Sequence, residues 1–421
     1  MRILLLTTYF QPDVAANGVI MSSLANEFAA RGHQVTVITT VPHYAQNQVW
    51  PEYSKRLIYH ERADNLQVYR IFTYVAKNKA SSAQRAIAYG TFHLLSFMRM
   101  ISLPRYDLLL APSPPLSNGV IADLVSRFRA KPFIYNVQDI WPDVIVRAGM
   151  VKNESTIRRL ENMESYVYRR ASHITVLSEG FRKNLINKGV PSEKITVIPN
   201  FVDSGFITPQ PKDNSFSRQY KLQDKFVVLF AGNMGFSQGL ETVIDAAQTL
   251  HGNKAIRFLM VGNGAGRRKA EEYLKTLQLN NVLFLPYQPQ EMLPSLYGAA
   301  DVCVIPLRRG FTAESVPSKL LTIMGAGKPA IAAVDQGSET WDLIYRSKGG
   351  ICVEPENPAS LAEGILHYYQ SPESGRIAGE NGRRCVECEF RPEAIADRYL
   401  GVMEKLVYRS MHKPDHTSSD K

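Results

Sequence analysis

The stretch ESVPSKLLTIMGAGKP places a carboxylate, Glu314, and an ammonium group, Lys319, five positions apart. Pro317 lies between them and is favoured in the first turn of a helix, and the apolar run that follows predicts a buried helix. The helix N-terminus and Lys319 would present positive potential to one point, which suits a departing diphosphate. Glu314 could accept hydrogen bonds from sugar hydroxyls. Taken alone, the motif fits equally well a helix-capping glutamate beside a solvated lysine.

Two glycine-containing turns could also approach a ligand. Asn17 and Gly18 stand at the start of a predicted helix, where glycine lets the backbone come close and the helix N-terminus favours phosphate. The sequence AGNMGFSQGLETVIDAA places Gly232, Gly235 and Gly239 around another helix start. The G-x-x-G-x-x-x-G spacing differs from the dinucleotide-binding fingerprint. It still predicts a turn that can cradle phosphate.

These turns follow apolar runs with the length and composition of buried strands. The runs alternate with amphipathic helical stretches, which predicts parallel, doubly wound sheets. In the first half one run follows Gly32, and the others are at 2–8, 66–72, 107–113, 133–139, 174–178 and 194–199. In the second half they are KFVVLFAG, IRFLMVG, VLFLPY, VCVIPL, PAIAAV and GGICVEP. Ligands of such sheets bind at the carboxyl ends of the strands, so the fold class we predict is α/β, with two Rossmann-like domains facing a central cleft.

The chain of 421 residues is too long for one ordinary hydrophobic core. We predict an N-terminal domain at 1–203, a linker rich in Pro, Asp, Asn and Ser at 204–224, and a C-terminal domain at 225–390. A helix at 391–410 is expected to pack back toward the N-terminal domain. The polar tail at 411–421 is expected to be disordered.

The net charge of +10 is concentrated in the first half of the chain. Residues 1–200 contain 24 Lys and Arg against 14 Asp and Glu. The remaining residues contain 25 basic and 25 acidic side chains and are therefore neutral overall. A basic half attracts an anionic partner, such as phospholipid or a phosphorylated substrate, although a generally basic surface is an alternative. No RNP-like motif or dense basic stripe occurs, so we expect no nucleic-acid partner.

The apolar stretch AIAYGTFHLLSFMRMISL at 86–103 is interrupted by His93 and Arg99. It predicts either a core-facing helix or an interfacial helix that touches an anionic bilayer. Only four cysteines occur, all beyond residue 300, and so low a number is typical of a reduced cytosolic protein rather than of a disulfide framework. The N-terminal apolar run is too short for a signal peptide and predicts a first strand.

Five segments occur in an order that resembles the retaining GT-B glycosyltransferases of family 4. They are RGHQVTVIT, VIPNFVD, LFAGNMGFSQGLETVIDAA, ESVPSKLLTIMGAGKPAIAA and GSETWDLI. NVQDIWPD together with SVPSKLLTIM is similar to bacterial surface-polysaccharide enzymes, including L-fucosamine transferases and colanic-acid-type transferases. The resemblance covers about residues 1–405.

The resemblance implies roles for particular residues. Three residues are expected to be catalytic. Glu314 would bind the donor-sugar hydroxyls, Lys319 would contact the diphosphate, and Asp139 would orient the acceptor hydroxyl. Backbone amides of Ser315 and Val316 would face the sugar or the phosphate. The other expected donor-binding residues are Asn17, Gly18, Gly232, Asn233, Gln238, Arg308 and Thr322.

The chain departs from the family pattern at several of these positions. Thr322 occupies the place of a second glutamate that binds the nucleotide ribose, so that contact is weaker or comes from elsewhere. Asn233 and Gln238 replace the usual Arg and Lys of the phosphate turn, which leaves Lys319, and Arg308 or Arg309, to supply positive charge. Gln138 precedes Asp139 where many members have His.

We therefore expect a metal-independent, retaining glycosyltransferase without a cofactor. Its donor would be a nucleotide sugar, UDP-linked by resemblance, carrying an N-acetylated hexosamine or a 6-deoxyhexosamine. Its acceptor would be a polyprenyl-diphosphate-linked saccharide of a surface polysaccharide, at the inner face of the cell membrane, with the enzyme cytoplasmic and peripherally bound. The alternatives are a non-hydrolysing nucleotide-sugar epimerase of the same fold and a non-catalytic scaffold at the membrane surface.

Overall fold

The computed structural model divides the chain into two compact units. The first consists of Met1–Ile198 together with the segment that starts at Ile395, and the second is Pro199–Ala394. The structure describes residues 1–13, 15–44, 47–76, 82–147, 149, 151–311 and 318–412.

The first unit contains an eight-stranded sheet with the order β3-β4-β2-β1-β5-β6-β7-β8. All neighbouring strands are parallel except β3 and β4. The strand order reverses between β1 and β5, and ligands of open α/β sheets bind at such a point. The strands are β1 (Arg2–Leu6), β2 (Gln34–Thr40), β3 (Ile58–Ala63), β4 (Leu66–Ile71), β5 (Leu108–Ser113), β6 (Phe133–Val137), β7 (His173–Val176) and β8 (Ile195–Val197).

The antiparallel edge strand β3 was not expected from the alternating pattern. It pairs with β4 through a two-residue connection, in which Asp64 has a φ of 43°. Aspartate and asparagine tolerate this left-handed conformation, so the Asp64-Asn65 pair is the sequence signal for the hairpin. The β3 strand has the alternation of a half-exposed edge rather than the continuous apolar run of the buried strands.

Helices cover the sheet of the first unit. They are α1 (Ala16–Ala30), α2 (Ser82–Ile101), α3 (Ser117–Arg129), α4 (Asp143–Arg147), α5 (Glu154–Arg170) and α6 (Glu179–Asn187), with 3-10 turns at Pro51–Tyr53 and Ser192–Lys194.

Helix α2 contains the apolar stretch with the interrupting histidine and has two different faces. Phe92, Met100 and the imidazole of His93 are buried, and His93 Nε2 lies 3.1 Å from Asn118 Oδ1 of α3. Leu94 and Met98 are exposed. The prediction of a core-facing helix is therefore confirmed for one face. Within the described residues no helix has the length and hydropathy needed to cross a membrane.

The second unit contains a six-stranded, fully parallel sheet with the order β11-β10-β9-β12-β13-β14. The order reverses between β9 and β12, so the carboxyl ends of these two strands mark the expected ligand edge. The strands are β9 (Phe226–Ala231), β10 (Ile256–Val261), β11 (Val282–Leu285), β12 (Val302–Pro306), β13 (Ala330–Ala333) and β14 (Gly350–Val353).

Eight helices of the second unit lie in the described chain: α7 (Ser215–Gln219), α8 (Leu240–Thr249), α9 (Arg267–Leu277), α10 (Leu293–Gly298), α11 (Ser318–Gly325), α12 (Glu339–Ser347), α13 (Pro358–Gln370) and α14 (Pro372–Glu389). A 3-10 turn at Gln290–Met292 precedes α10. The inner face of α8 is buried among the residues of β9, β10 and β12, as its spacing predicts.

The segment 204–224, predicted as a linker, is folded into the second unit. It contains α7, and the side chains of Ile207, Phe216 and Leu222 are buried in the core of that unit. The turn residues of this segment suggested a boundary between domains. The apolar residues between them nevertheless pack into the core of the second unit. The change between units falls at Ile198 and Pro199.

The last helix, α15 (Pro392–Met411), joins the first unit from Ile395 onward. Its Tyr399 is fully buried, and its hydroxyl lies 2.8 Å from Asn136 Nδ2 on β6. The same amide donates to Thr175 at 3.0 Å, and Asn136 Oδ1 accepts from Gln138 at 2.7 Å. A buried hydrogen-bond network thus links α15 to the residue before Asp139. Residues 413–421 of the predicted tail lie outside the described residues.

Candidate donor-binding site

The turn after β9 is fastened to the end of β12. Gly239 N donates to Pro306 O at 2.7 Å, and Arg308 N donates to Ser237 O at 2.9 Å. An isolated antiparallel bridge between Gln238 and Leu307 lies between these bonds. The two loops at the reversal point of the sheet therefore form one fixed edge, and the glycine-containing turn predicted from sequence lies at it.

Glycine is required at Gly232 for two physical reasons. Its φ of +129° is rarely adopted by residues with a side chain. A Cβ atom built there would also lie 2.6 Å from Lys319 Cε. The Lys319 side chain thus occupies the space that a side chain at position 232 would need.

Lys319 is the second residue of α11, and its ammonium group contacts only neutral partners among the described residues. Nζ lies 2.9 Å from Gln238 Oε1 and 3.3 Å from Asn233 O. It also lies 4.2 Å from the centroid of the Phe230 ring, which presents its negative face to a cation. The predicted residues Gly232, Asn233 and Gln238 therefore do surround Lys319.

Burial lowers the pKa of Lys319 from its ordinary value of 10.5 to about 7. The described residues provide no carboxylate partner that would offset this desolvation. A cation in the first turn of a helix also opposes the helix dipole. Desolvation and the helix dipole thus both disfavour the protonated form of this half-buried lysine, and a bound anion would offset both effects.

Arg308 and Arg309 are already paired with carboxylates. Arg308 Nη2 lies 2.7 Å from Glu241 Oε2, and Nη1 lies 3.7 Å from Glu356 Oε1. Arg309 lies 2.8 Å from Glu354. These carboxylates largely neutralise the charges of both arginines. Lys319, in contrast, has no carboxylate partner among the described residues.

Four further residues were predicted on and before α11, and the structure describes one of them, Thr322. The Thr322 hydroxyl donates back to Ser318 O at 3.0 Å within α11, so its hydrogen is already used inside the helix. Glu314, Ser315 and Val316 lie outside the described residues, and their proposed contacts stay predictions.

Asn17, Gly18 and Asp139 belong to the first unit. A Cβ atom at Gly18 would lie 2.9 Å from Tyr9 Cβ, so glycine lets α1 begin close to the turn after β1. Asp139 follows β6, and desolvation raises the pKa of its carboxyl group to about 6 although the side chain remains accessible. A carboxylate with such a pKa can exchange a proton near neutral pH.

Sequence reasoning missed Phe230, Gly262 and Gly264. A Cβ atom at Gly262 would lie 1.9 Å from Gly232 O, and one at Gly264 would lie 2.6 Å from Met234 O. These glycines let the turn after β10 pack against the turn after β9. The repeated glycines of VGNGAG after a predicted strand were the available signal.

The two Rossmann-like units match the GT-B fold of solved glycosyltransferase structures. The solved structure of HepE from Anabaena in complex with UDP-glucose matches 96% of this chain and 100% of that chain, with a TM-score of 0.70 and 17% identity. WaaG, a glycosyltransferase involved in lipopolysaccharide biosynthesis, matches 95% of this chain and 100% of that chain, with a TM-score of 0.64 and 15% identity.

Family models identify both halves of the chain. Residues 18–200 match the glycosyl transferase 4-like domain, and residues 211–385 match the glycosyl transferases group 1 domain. The putative colanic acid biosynthesis glycosyl transferase WcaI of Escherichia coli (strain K12) is 28% identical over 398 residues, 92% of this chain and 97% of WcaI. The two halves of the chain therefore carry glycosyltransferase domains of these two kinds.

We predict that Gly232→Ala weakens UDP binding by roughly tenfold or more, because the new methyl group displaces Lys319 and strains the backbone. Gly252→Ala is the matched control, since a Cβ atom there meets no atom within 4 Å. Isothermal titration calorimetry with UDP measures both variants. Equal UDP affinity in the two variants would contradict the assigned role of Gly232.

We predict that UDP affinity falls by roughly tenfold for each pH unit above about 7, until the pKa of Lys319 in the complex is reached. The lowered pKa means that the unliganded lysine loses its proton above pH 7, so UDP must bind together with a proton. Calorimetry between pH 7.5 and 9 measures this slope. Lys319→Arg keeps its charge and should flatten the slope, and an unchanged slope in that variant would contradict the assignment.

Proposed function

We propose that the protein is a retaining glycosyltransferase that moves an N-acetylated hexosamine or 6-deoxyhexosamine from a UDP-linked donor to a lipid-linked saccharide. The observation that carries the proposal is Lys319. Its half-buried ammonium group faces neutral acceptors at the carboxyl ends of β9 and β12. A diphosphate is an anion of the right charge for this position, and its binding would offset the desolvation of the lysine.

The printed complexes of HepE support UDP as the nucleotide. That protein was solved with UDP and with UDP-glucose, and its fold matches nearly the whole of this chain. In this chain the carboxyl ends of β9 and β12 have the backbone turn and the cation that a nucleotide diphosphate needs.

In the proposed reaction the bond from the anomeric carbon to the diphosphate oxygen breaks, and a bond from the acceptor oxygen forms on the same face. The departing diphosphate oxygen takes the acceptor proton, so a pair of flanking carboxylates is unnecessary. Lys319 stabilises the negative charge that develops on the diphosphate. Glu314 would hold donor-sugar hydroxyls, and Asp139 would orient the acceptor hydroxyl. No step requires a metal ion.

A surface-polysaccharide role draws support from the relatives. WcaI is described as a colanic acid enzyme, and WaaG as a lipopolysaccharide enzyme. We propose that the acceptor is a saccharide assembled on a lipid at the cytoplasmic face of the cell membrane, and that the protein works there.

The first unit offers a surface suited to an anionic membrane. The exposed ring of Phe128 shares one shallow recess with Arg105 and Lys131. Leu94 and Met98 are exposed on α2, the helix that contacts α3. Apolar side chains beside cations favour the interface of an anionic bilayer. We propose that these side chains of α2, α3 and their neighbouring loops hold the enzyme peripherally on the membrane.

We predict that Lys319→Ala lowers kcat by about a hundredfold, because one charge-assisted donor to the departing diphosphate typically contributes ~3 kcal/mol. The assay follows sugar transfer from a panel of UDP-sugars to lipid extracts that contain the acceptor. Lys275→Ala, at an exposed position of α9, is the control and should keep full activity. Wild-type activity should persist in excess chelator. Near-normal turnover of Lys319→Ala would reject the proposed site, and loss of activity in chelator would reject metal independence.

We predict that the protein floats with vesicles that contain 30% or so of anionic lipid at ~50 mM salt, and that binding weakens as salt approaches ~500 mM, because screening shortens the reach of the surface charge. Phe128→Ser combined with Lys131→Ser should reduce flotation. Equal recovery on neutral and anionic vesicles would contradict the membrane proposal.

A further inference from the structure

Four polar side chains form a buried cluster at the carboxyl ends of β6 and β7. They are Asn136 of β6, Thr175 of β7, Tyr399 of α15 and Gln138, which follows β6 directly. Each of these residues is more than nine-tenths buried. Polar groups buried to this degree destabilise a fold unless hydrogen bonds satisfy them, so their mutual contacts decide what the cluster does.

The side-chain amide of Asn136 is the centre of the cluster. Its Nδ2 donates to the Tyr399 hydroxyl at 2.8 Å and to Thr175 Oγ1 at 3.0 Å. Its Oδ1 accepts from Gln138 Nε2 at 2.7 Å. A side-chain amide has two N–H donors, so both donors of Asn136 are in use. Loss of the Tyr399 hydroxyl would leave one of them buried without a partner, which favours rotation of the amide.

Neighbouring contacts of α15 fix the position of the Tyr399 hydroxyl. Asp397 is paired with Arg31 of α1 at 2.8 Å, and Arg398 Nη2 donates to a backbone carbonyl of β8 at 2.7 Å. The ring of Tyr399 packs edge to face on Phe28 of α1, with the ring centroids 6.4 Å apart. Three consecutive residues of α15 thus contact the first unit at different elements. The hydroxyl is therefore held by a rigid framework, as a group that positions another residue must be.

The cluster reaches Asp139 through the direction of the chain at Gln138. Burial alternates here, because the side chain of Gln138 is buried, that of Asp139 is exposed and the next residue is buried again. The hydrogen bond from Gln138 to Asn136 thus holds one side chain inward while the next points outward. Asp139 O accepts from Trp141 N at 3.1 Å and from Ser113 Oγ at 3.4 Å, which fixes the backbone of the same residue.

We propose that the hydroxyl of Tyr399 is a positioning group for the carboxyl group of Asp139. Tyr399 is fully buried and touches no substrate, so it acts through Asn136 and Gln138. The inference rests on the proposed function, in which Asp139 orients the acceptor hydroxyl. It makes the last helix of the chain a working part of the first unit's site, although the whole second unit lies between the two in sequence.

Carbon-13 NMR on the full chain, labelled at the γ-carbon of aspartate, tests the positioning without a sugar acceptor. Asp139→Asn identifies the resonance of Asp139. In the native protein this carboxyl group should titrate near pH 6, because desolvation raises the pKa of Asp139 to about 6. In Tyr399→Phe the midpoint should fall by about half a pH unit or more, toward the ordinary value of 3.8, because a displaced carboxyl group gains water.

Two further variants control the titration. Tyr408→Phe is the matched control, because Tyr408 lies on the same helix and is 65% exposed, and its Asp139 midpoint should equal that of the native protein. Gln138→Met removes the donor at the other end of the cluster and leaves the Tyr399 hydroxyl in place, so it should also lower the midpoint. Circular dichroism verifies that the variants fold, and Gln138→Met carries the test if Tyr399→Phe does not fold.

Transfer assays separate a positioning role from a purely structural one. Tyr399→Phe should lower kcat by about tenfold and leave the KM of the donor nearly unchanged, because only the alignment of the acceptor suffers. In an Asp139→Ala background the same substitution should have little further effect, because the residue through which the hydroxyl acts is gone. A hydroxyl that only stabilised the fold would change kcat by the same factor in both backgrounds.

Two results would overturn the inference. One is an unchanged Asp139 midpoint in folded Tyr399→Phe or Gln138→Met, and the other is independent effects of Tyr399→Phe and Asp139→Ala on kcat. The proposed function fails by a different result. If the Asp139 midpoint moves as expected but the native protein transfers no sugar, the Tyr399 hydroxyl does position the carboxyl group and the assigned reaction is wrong.

Discussion

The candidate site depends on one ammonium group that is held partly out of water without an opposite charge among the described residues. Lys319 lies over the ring of Phe230 and donates to two neutral oxygens, and burial lowers its pKa to about 7. Such a position lowers the stability of the unliganded protein, because water would solvate the charge better. It increases the gain on binding a diphosphate, because the anion meets a cation that has already lost much of its hydration.

Three features of the second unit place Lys319 at this position. Parallel strands bring the ends of β9 and β12 together where the strand order reverses, and backbone hydrogen bonds join the two loops there. Gly232 leaves the space for the lysine side chain, and Gly262 lets the neighbouring turn approach. Arg308 remains beside the site, but Glu241 already neutralises much of its charge. Among the residues that the structure describes, Lys319 is thus the cation of this edge that lacks a carboxylate partner.

Local patterns were sufficient for most of the architecture. Continuous apolar runs predicted the parallel strands of both sheets. The hairpin strand β3 was missed because an exposed edge alternates weakly, and the packing of Phe216 into the second unit needed knowledge of a distant partner. The glycine turn and Lys319 were found from sequence. The contact of Lys319 with the Phe230 ring and the ion pair of Arg308 with Glu241 could not be predicted, because both join residues far apart in the sequence. Glu314 stays a prediction.

The most direct test of the central claim is denaturant unfolding of Lys319→Met with and without UDP. Removing the charge should raise the free energy of unfolding of the ligand-free protein by about 1–3 kcal/mol at pH 7 or below. The gain should shrink as pH rises toward 10, since the unfolded lysine then also loses its proton. Protection by UDP should disappear. A variant that is less stable than the native protein without ligand, or that UDP still protects fully, would contradict the account.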